Sequence, residues 1–297
     1  MKKIAVIGSA NTDLVFTTNI IPKMGETVSG ERFEMNTGGK GANQAVAIAR
    51  LGGNVTFFGS LGGDLFGEKI KQELKNENVT ICIHDSQMHS GVAQVNLYDH
   101  DNSIIVIPGA NADFEERFLE EVEARLDEFD FFVFQLEIDI NVVDRLVKKI
   151  KMLPNKRILL NPAPAQRLTK SLLENSDYIT PNEFEIEQIG IDADSTEAAL
   201  RRYPGKLLVT LGAKGVTYFD QQQQVVTLVP GLTQLNVQDT TGAGDTFTGA
   251  LSYALVNEYS LKDAIRFANV AAGLSITKVG AQAGMPRLKD VEGMLQR

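Results

Sequence analysis

Short apolar runs alternate with amphipathic stretches along almost the whole chain, and this alternation constrains the fold more than any single motif. Ile4 to Ile7, Val55 to Phe58, Phe131 to Phe134, Ile158 to Leu160, Tyr178 to Thr180 and Leu207 to Leu211 read as buried strands. Between and after them, helical periodicity runs through Ala42 to Leu51, Leu65 to Asn76, Glu115 to Leu126, Val142 to Lys151, Leu261 to Thr277 and Leu288 to Gln296. Strand, helix, strand at this spacing implies right-handed crossovers, and hence a mainly parallel sheet with helices on both faces. A doubly wound α/β fold is expected.

Two segments break the rhythm. Residues from about 12 to 38 hold Pro22, Gly25 and Gly30 among short extended pieces. Residues from about 90 to 108 read as a hairpin, Val92 to Tyr98 and Ser103 to Ile107, around the turn Asp99-His100-Asp101-Asn102. Together they predict one small β-sheet built from separated insertions and packed on the main body. Ile104 to Ile107 are apolar on both faces of their strand, so one face is expected to cover a ligand and the other to meet a partner. Gln221 to Gln224 is a hairpin turn between Val216 to Phe219 and Val225 to Val229. No repeat or linker divides the chain, which reads as one unit over residues 1–297.

Ligands of an open parallel sheet bind beyond the carboxyl ends of its strands. Those positions are polar here: Asn11 and Asp13 after the first strand, Gln135 and Glu137 after Phe134, Asn161 after Leu160, Asn182 and Glu185 after Thr180, and Thr210 with Gly212. Asn and Asp are also common in turns, so each alone says little. Their number along one edge points to a site.

Asp239-Thr240-Thr241-Gly242-Ala243-Gly244-Asp245 leads into a helix whose apolar face is Phe247, Ala250, Leu251, Ala254 and Leu255. Unpaired N–H groups and the helix dipole make such a start an anion site, and glycines admit a phosphate close to the backbone. Asp245 could take a proton from an attacking hydroxyl. A turn followed by a favourable first-turn charge has the same pattern, and the polar sheet edge favours the site. Gly38-Gly39-Lys40-Gly41-Ala42-Asn43 is a second glycine-rich loop ahead of a helix. It lacks the Walker A spacing, as does Gly62 to Lys69 with Glu68 at the lysine position, and neither fits the dinucleotide fingerprint. Lys40 and Asn43 offer donors to a polar ligand; a solvated lysine in a turn is the alternative.

The net charge of −9, without a Lys/Arg cluster, argues against nucleic acid as a partner, so an anionic ligand must be held locally. Cys82 is the only cysteine, which excludes an intrachain disulfide. His84, His89 and His100 lack metal-ligand spacing and read as solvated. No apolar stretch reaches the length of a membrane span or a signal sequence, and a cytoplasmic enzyme is expected.

From Ile4 to the C-terminus the chain resembles the ribokinase-like (PfkB) carbohydrate kinases. The matching runs are Gly38 to Val46, Gln135-Leu136-Glu137, Asn161 to Ala165, Thr180 to Glu183, Thr210-Leu211-Gly212, Asp239 to Asp245 and Gly280-Ala281-Gln282. The resemblance implies a three-layer α/β/α fold with a small β lid formed by about 12–38 and 90–108, and a homodimer joined through that lid. It implies ATP-dependent phosphorylation of D-ribose at O5, or of 2-deoxyribose, a nucleoside or another furanose. Asn11, Asp13, Gly39, Lys40, Asn43 and Glu137 would hold the sugar; Asp245 would be the base, and the amides of Gly242, Ala243 and Gly244 the anion hole. Asn182 and Glu185 would organise magnesium and phosphate. Thr210, Leu211, Gly212, Ala213, Lys214, Gly215, Gly244 and Asn269 would contact the nucleotide. Asp239, Thr241, Ser275, Lys278, Gly280 and Gly284 would ligate a monovalent cation, K+ by the family's habit. Gly284 and Ser275 depart from the family's usual serine and small apolar residue at those positions. The helix start is expected to keep the pKa of Asp245 low. A non-catalytic sensor would lack the base or the anion hole, and a dehydrogenase would need the dinucleotide fingerprint after Gly8.

Overall fold

The computed structural model describes residues 2–98 and 101–296, the side chains of 101 and 102 excepted. Its strands are β1 (Lys3–Ile7), β2 (Asn11–Thr17), β3 (Arg32–Gly38), β4 (Asn54–Gly62), β5 (Thr80–Ser86), β6 (Gly91–Tyr98) and β7 (Asp101–Ile107). There follow β8 (Phe131–Phe134), β9 (Arg157–Leu160), β10 (Tyr178–Ile179), β11 (Leu208–Thr210), β12 (Val216–Asp220) and β13 (Val225–Val229). The helices are α1 (Lys40–Arg50), α2 (Leu65–Asn76), α3 (Glu116–Ala124), α4 (Ile140–Lys151) and α5 (Lys170–Asn175). The remainder are α6 (Thr196–Arg202), α7 (Ala243–Val256), α8 (Leu261–Ser275), α9 (Ala281–Gly284) and α10 (Leu288–Leu295).

The central sheet runs β10-β9-β8-β1-β4-β5, parallel throughout. Because successive side chains point to opposite faces, each strand feeds two cores. Ile4, Val6, Phe131 and Val133 pack with α1, α7 and α8. Ala5, Ile7, Phe132 and Phe134 pack with α3, α4 and α5 on the other side. The three-layer α/β/α expectation holds. Isolated parallel bridges, Ile179↔Leu207 and Asn182↔Thr210, attach the antiparallel β11-β12-β13 sheet to the β10 edge.

Register places the site. Ile7 pairs with Phe134, Phe134 with Leu160, and Leu160 with Ile179, so these strands end level. The polar residues that follow them share one edge. Above that edge stands a separate four-stranded sheet, β3-β2-β6-β7, made from the two insertions. Asn11 and Asp13, expected just after the first strand, open β2, where Asn11 pairs with Gly38 on one side and Gly91 on the other. The tip of the β6–β7 hairpin, Asp99 and His100, lies outside the described residues. The Gln221 to Gln224 turn joins β12 to β13 as expected. Among the described residues no helix is long and apolar enough to cross a membrane.

Candidate active site

α1 begins two residues before its apolar periodicity, at Lys40, with Gly39 as N-cap at φ +86°. A Cβ at Gly39 would lie 2.7 Å from the Ala10 Cα, so both the backbone angle and the contact require glycine. The turn brings the Lys40 N–H within 3.0 Å of Glu137 Oε2, which also accepts the Ser9 hydroxyl at 2.6 Å. β1, β8 and α1 are thereby tied at one carboxylate.

α7 starts the same way. Gly242 is its N-cap at φ +76°, with space for a Cβ closed by Ala281 at 2.8 Å. About two turns on, a Cβ at Gly249 would stand 2.7 Å from that of Ala47, which shows how closely α7 crosses α1. The crossing carries two amides onto the buried carboxylate of Asp245: Asn43 Nδ2 donates to Oδ2 at 2.9 Å and Gln44 Nε2 to Oδ1 at 3.1 Å. Gln135 Nε2 donates to Gln44 Oε1 at 2.6 Å, and Gln282 Nε2 to Asn43 Oδ1 at 3.0 Å. Both amides are thus held with their N–H groups toward Asp245.

Two expectations about this helix start need correction. Ala243 donates its N–H to the Thr240 carbonyl at 3.2 Å, while those of Gly242 and Gly244 have no partner among the described residues. The amides available to an anion are therefore two, not three. The pKa of Asp245 is raised rather than kept low: burial outweighs the opposing effects of Lys40, Asn43 and Gln44, and Glu137 adds to it. The carboxylate turns toward α1 and away from the amides of its own helix, so the helix start does not hold it down.

Asp13 stands over Gly38, where a Cβ would come within 2.2 Å of its Oδ2. Burial, then Glu137 and Asp245, raise its pKa from 3.8 to about 7. Between these values the folded chain binds more protons than the unfolded one, so this group makes stability fall as pH rises from about 4 toward about 7. The slope is at most about 1.4 kcal/mol per pH unit. Asp13→Asn is expected to flatten that part of the profile in urea denaturation between about pH 5 and about pH 7.5; an unchanged slope would refute the assignment. Asn11 is buried and accepts from Asn111 Nδ2 at 2.7 Å, which leaves its own amide N–H groups free of that bond.

Lys40 is not the solvated lysine of the alternative reading. Burial works against its charge, but Asp245, Glu137 and Glu185 outweigh it and raise its pKa. It lines a polar cavity of about 230 Å³ with Asn161, Asn182, Glu185, Thr210, Gly244 and Asp245. Asn182 and Glu185 brace each other: the Asn182 N–H donates to Glu185 Oε2, and Asn182 Oδ1 accepts the N–H of Phe184 and of Glu185, each at 2.8 Å. An acidic group at the rim of a polar cavity suits a hydrated divalent cation.

Beyond Gly244 opens a larger, mainly apolar cavity of about 500 Å³ lined by Thr210, Gly212, Ala213, Gly215 and Asn269, and walled by Leu232, Leu235, Val237 and Ile276. The apolar wall was not foreseen from the sequence. Leu211 packs against the hydrophobic core and Lys214 is exposed; neither is among the residues lining the cavity.

The residues expected to hold a cation gather around Asp239, whose Oδ1 accepts the Thr241 N–H and whose Oδ2 accepts the Gly280 N–H, each at 2.8 Å. Burial raises its pKa, but these bonds outweigh burial and lower it. The Asp239 carboxylate is a hard oxygen donor of the kind a cation site uses. A Cβ at Gly284 would lie 2.0 Å from the Ser275 carbonyl oxygen, so the two departures from the family pattern sit against each other. Lys278 is exposed on the segment between α8 and α9.

His84 departs from its reading as solvated: its side chain is 15 % exposed and stands 3.6 Å from Asp113. His89 Nδ1 lies 2.8 Å from the Ser90 carbonyl.

The family model described as pfkB family carbohydrate kinase matches residues 1–288. A ribokinase of Lactococcus lactis is 43 % identical, the match covering 100 % of this chain and 98 % of the relative. A deoxyribokinase of Salmonella typhi is 34 % identical over 96 % of each chain. The structure of Arabidopsis thaliana ribokinase complexed with ribose and ATP superposes with a TM-score of 0.87 at 31 % identity, covering 100 % of this chain and 99 % of that one.

Proposed function

This chain belongs to the pfkB family of carbohydrate kinases, and from that premise we propose that it transfers the γ-phosphoryl group of ATP to the 5-hydroxyl of D-ribose. The observation that carries the reading is the position of Asp245, a buried carboxylate that lines the polar cavity next to Gly244, a residue shared with the larger apolar one. The nucleotide occupies the apolar cavity with its phosphates at Gly242 and Gly244. The sugar lies among Asn11, Asp13, Gly39, Lys40, Asn43 and Glu137 below the small sheet.

Phosphoryl transfer demands in-line positioning and neutralisation of spreading charge more than covalent chemistry. Lys40 and the free amides of Gly242 and Gly244 meet that charge in a site with several carboxylates nearby. Asp245 accepts the hydroxyl proton, and its raised pKa makes it a better base than an acid held down by a helix start. Magnesium supplies further neutralisation when bound with the nucleotide, and Asn182 with Glu185 would hold it through water. Asp239, with carbonyls of Thr241, Ser275, Lys278, Gly280 and Gly284, would hold a monovalent cation behind the anion hole. The small sheet acts as a lid that excludes water, and its apolar edge strand, with Ile105 57 % exposed, joins a second copy to form a homodimer in the cytoplasm.

The alternative within the family is 2-deoxyribose, favoured by the similarity to a deoxyribokinase. Asp13 and Asn11 support the vicinal diol of ribose. ADP release with D-ribose, 2-deoxyribose, adenosine and fructose, each with and without potassium, separates the readings. The expected result is the highest kcat/KM with D-ribose and a rise with potassium. A higher kcat/KM with 2-deoxyribose transfers the assignment to that sugar, and indifference to potassium removes the cation from it.

A further inference from the structure

Outside the cavities, His84 of β5 faces the connection between β7 and α3. Its ring stacks on Phe118 with centroids 5.6 Å apart, which fixes its direction. The Nε2 atom is shielded from solvent and has no hydrogen-bond partner among the described residues. Asp113 Oδ2 stands 3.6 Å from it and Glu115 Oε2 3.9 Å. One ligand atom from each of the three lies within 4.8 Å of the others. Ligands held at about 2.0–2.2 Å around a tetrahedral zinc ion stand roughly 3.3–3.5 Å apart, so the two carboxylates need only small movements toward His84.

We propose that His84, Asp113 and Glu115 form a zinc site with solvent in the fourth position. The supporting groups are in place. Ser86 donates its hydroxyl to Asp113 Oδ2 and so aims the carboxylate, as outer partners of metal ligands do. Glu115, 59 % exposed, leaves a path for the ion. One imidazole with two carboxylates suits a divalent d-block cation better than magnesium, which prefers oxygen donors and retained water.

The site also has a route to the sugar cavity. Asp113 follows Asn111 by two residues, and Asn111 both accepts the Ala10 N–H at 2.9 Å and donates to Asn11 Oδ1 at 2.7 Å. Zinc pulling Asp113 and Glu115 onto β5 steadies the turn that holds Asn11. Its effect falls on sugar KM rather than on kcat.

The chelator-treated full chain, without nucleotide, is titrated with zinc by calorimetry, and with Co2+ followed by visible absorption. The expected result is one equivalent bound and the absorption of a four-coordinate cobalt ion. His84→Gln and Glu115→Gln, with unchanged circular dichroism, each weaken binding roughly tenfold or more. Glu115 is largely exposed, so its variant tests the site even if replacing His84 disturbs the fold. Absence of binding would leave the cluster without an ion and overturn the proposal. Undiminished affinity in Glu115→Gln would do the same by placing the ion elsewhere.

Discussion

Replacing Asp245 with asparagine is expected to lower kcat by about a hundredfold or more, the usual range for losing a general base, while sugar KM changes little. The carboxylate is buried and receives N–H bonds from Asn43 and Gln44, and neither amide can accept a proton in its place. Asparagine keeps the volume and removes both the charge and the basicity. Its own NH2 must meet one of the two amide donors, so some stability is lost as well, and thermal melting reads that cost apart from the chemistry. Wild-type turnover in a folded variant would end the case for Asp245 as base.

Gly244→Val separates folding from function in the opposite sense. No heavy atom lies within 4 Å of a Cβ built at Gly244, so the first carbon of a side chain meets no protein atom there. Glycine also costs a helix roughly 1 kcal/mol relative to better formers, so stability should hold or rise slightly. The same side chain, however, projects where both cavities meet, onto the approach of a phosphate to the Gly242 and Gly244 amides. A displacement of about 1 Å in a reacting group can cost a hundredfold, and kcat/KM for ATP is expected to fall by about that much. Steady-state kinetics beside a melting curve checks it. Unaltered kcat/KM for ATP in this variant would remove the phosphate from the helix start.

The fold and the two glycine-rich starts were legible because their signals are local. Strand length, apolar periodicity and the Gly39 and Gly242 turns are each written within a few residues. Contacts between distant elements were not. Gln44 serves Asp245 only because Gly249 and Ala47 let α1 and α7 touch, and no spacing within either helix declares that crossing. The pKa of Asp245 was misjudged for the same reason: the helix start is local, whereas the burial that outweighs it is tertiary. His84, Asp113 and Glu115 lie 29 and 2 residues apart and meet only where β5 runs beside the segment after β7.

The pair of amides behind Asp245 has a further effect on the proposed reaction. Gln135 fixes Gln44 and Gln282 fixes Asn43, each with its N–H toward the carboxylate, so the rear of the base is closed to proton traffic. The face of Asp245 left open is the one on the polar cavity, where the proposed reaction would place the sugar. On that proposal the proton gained in each turnover would leave by the path the product takes, and opening of the small sheet would set the moment at which the site resets its own charge.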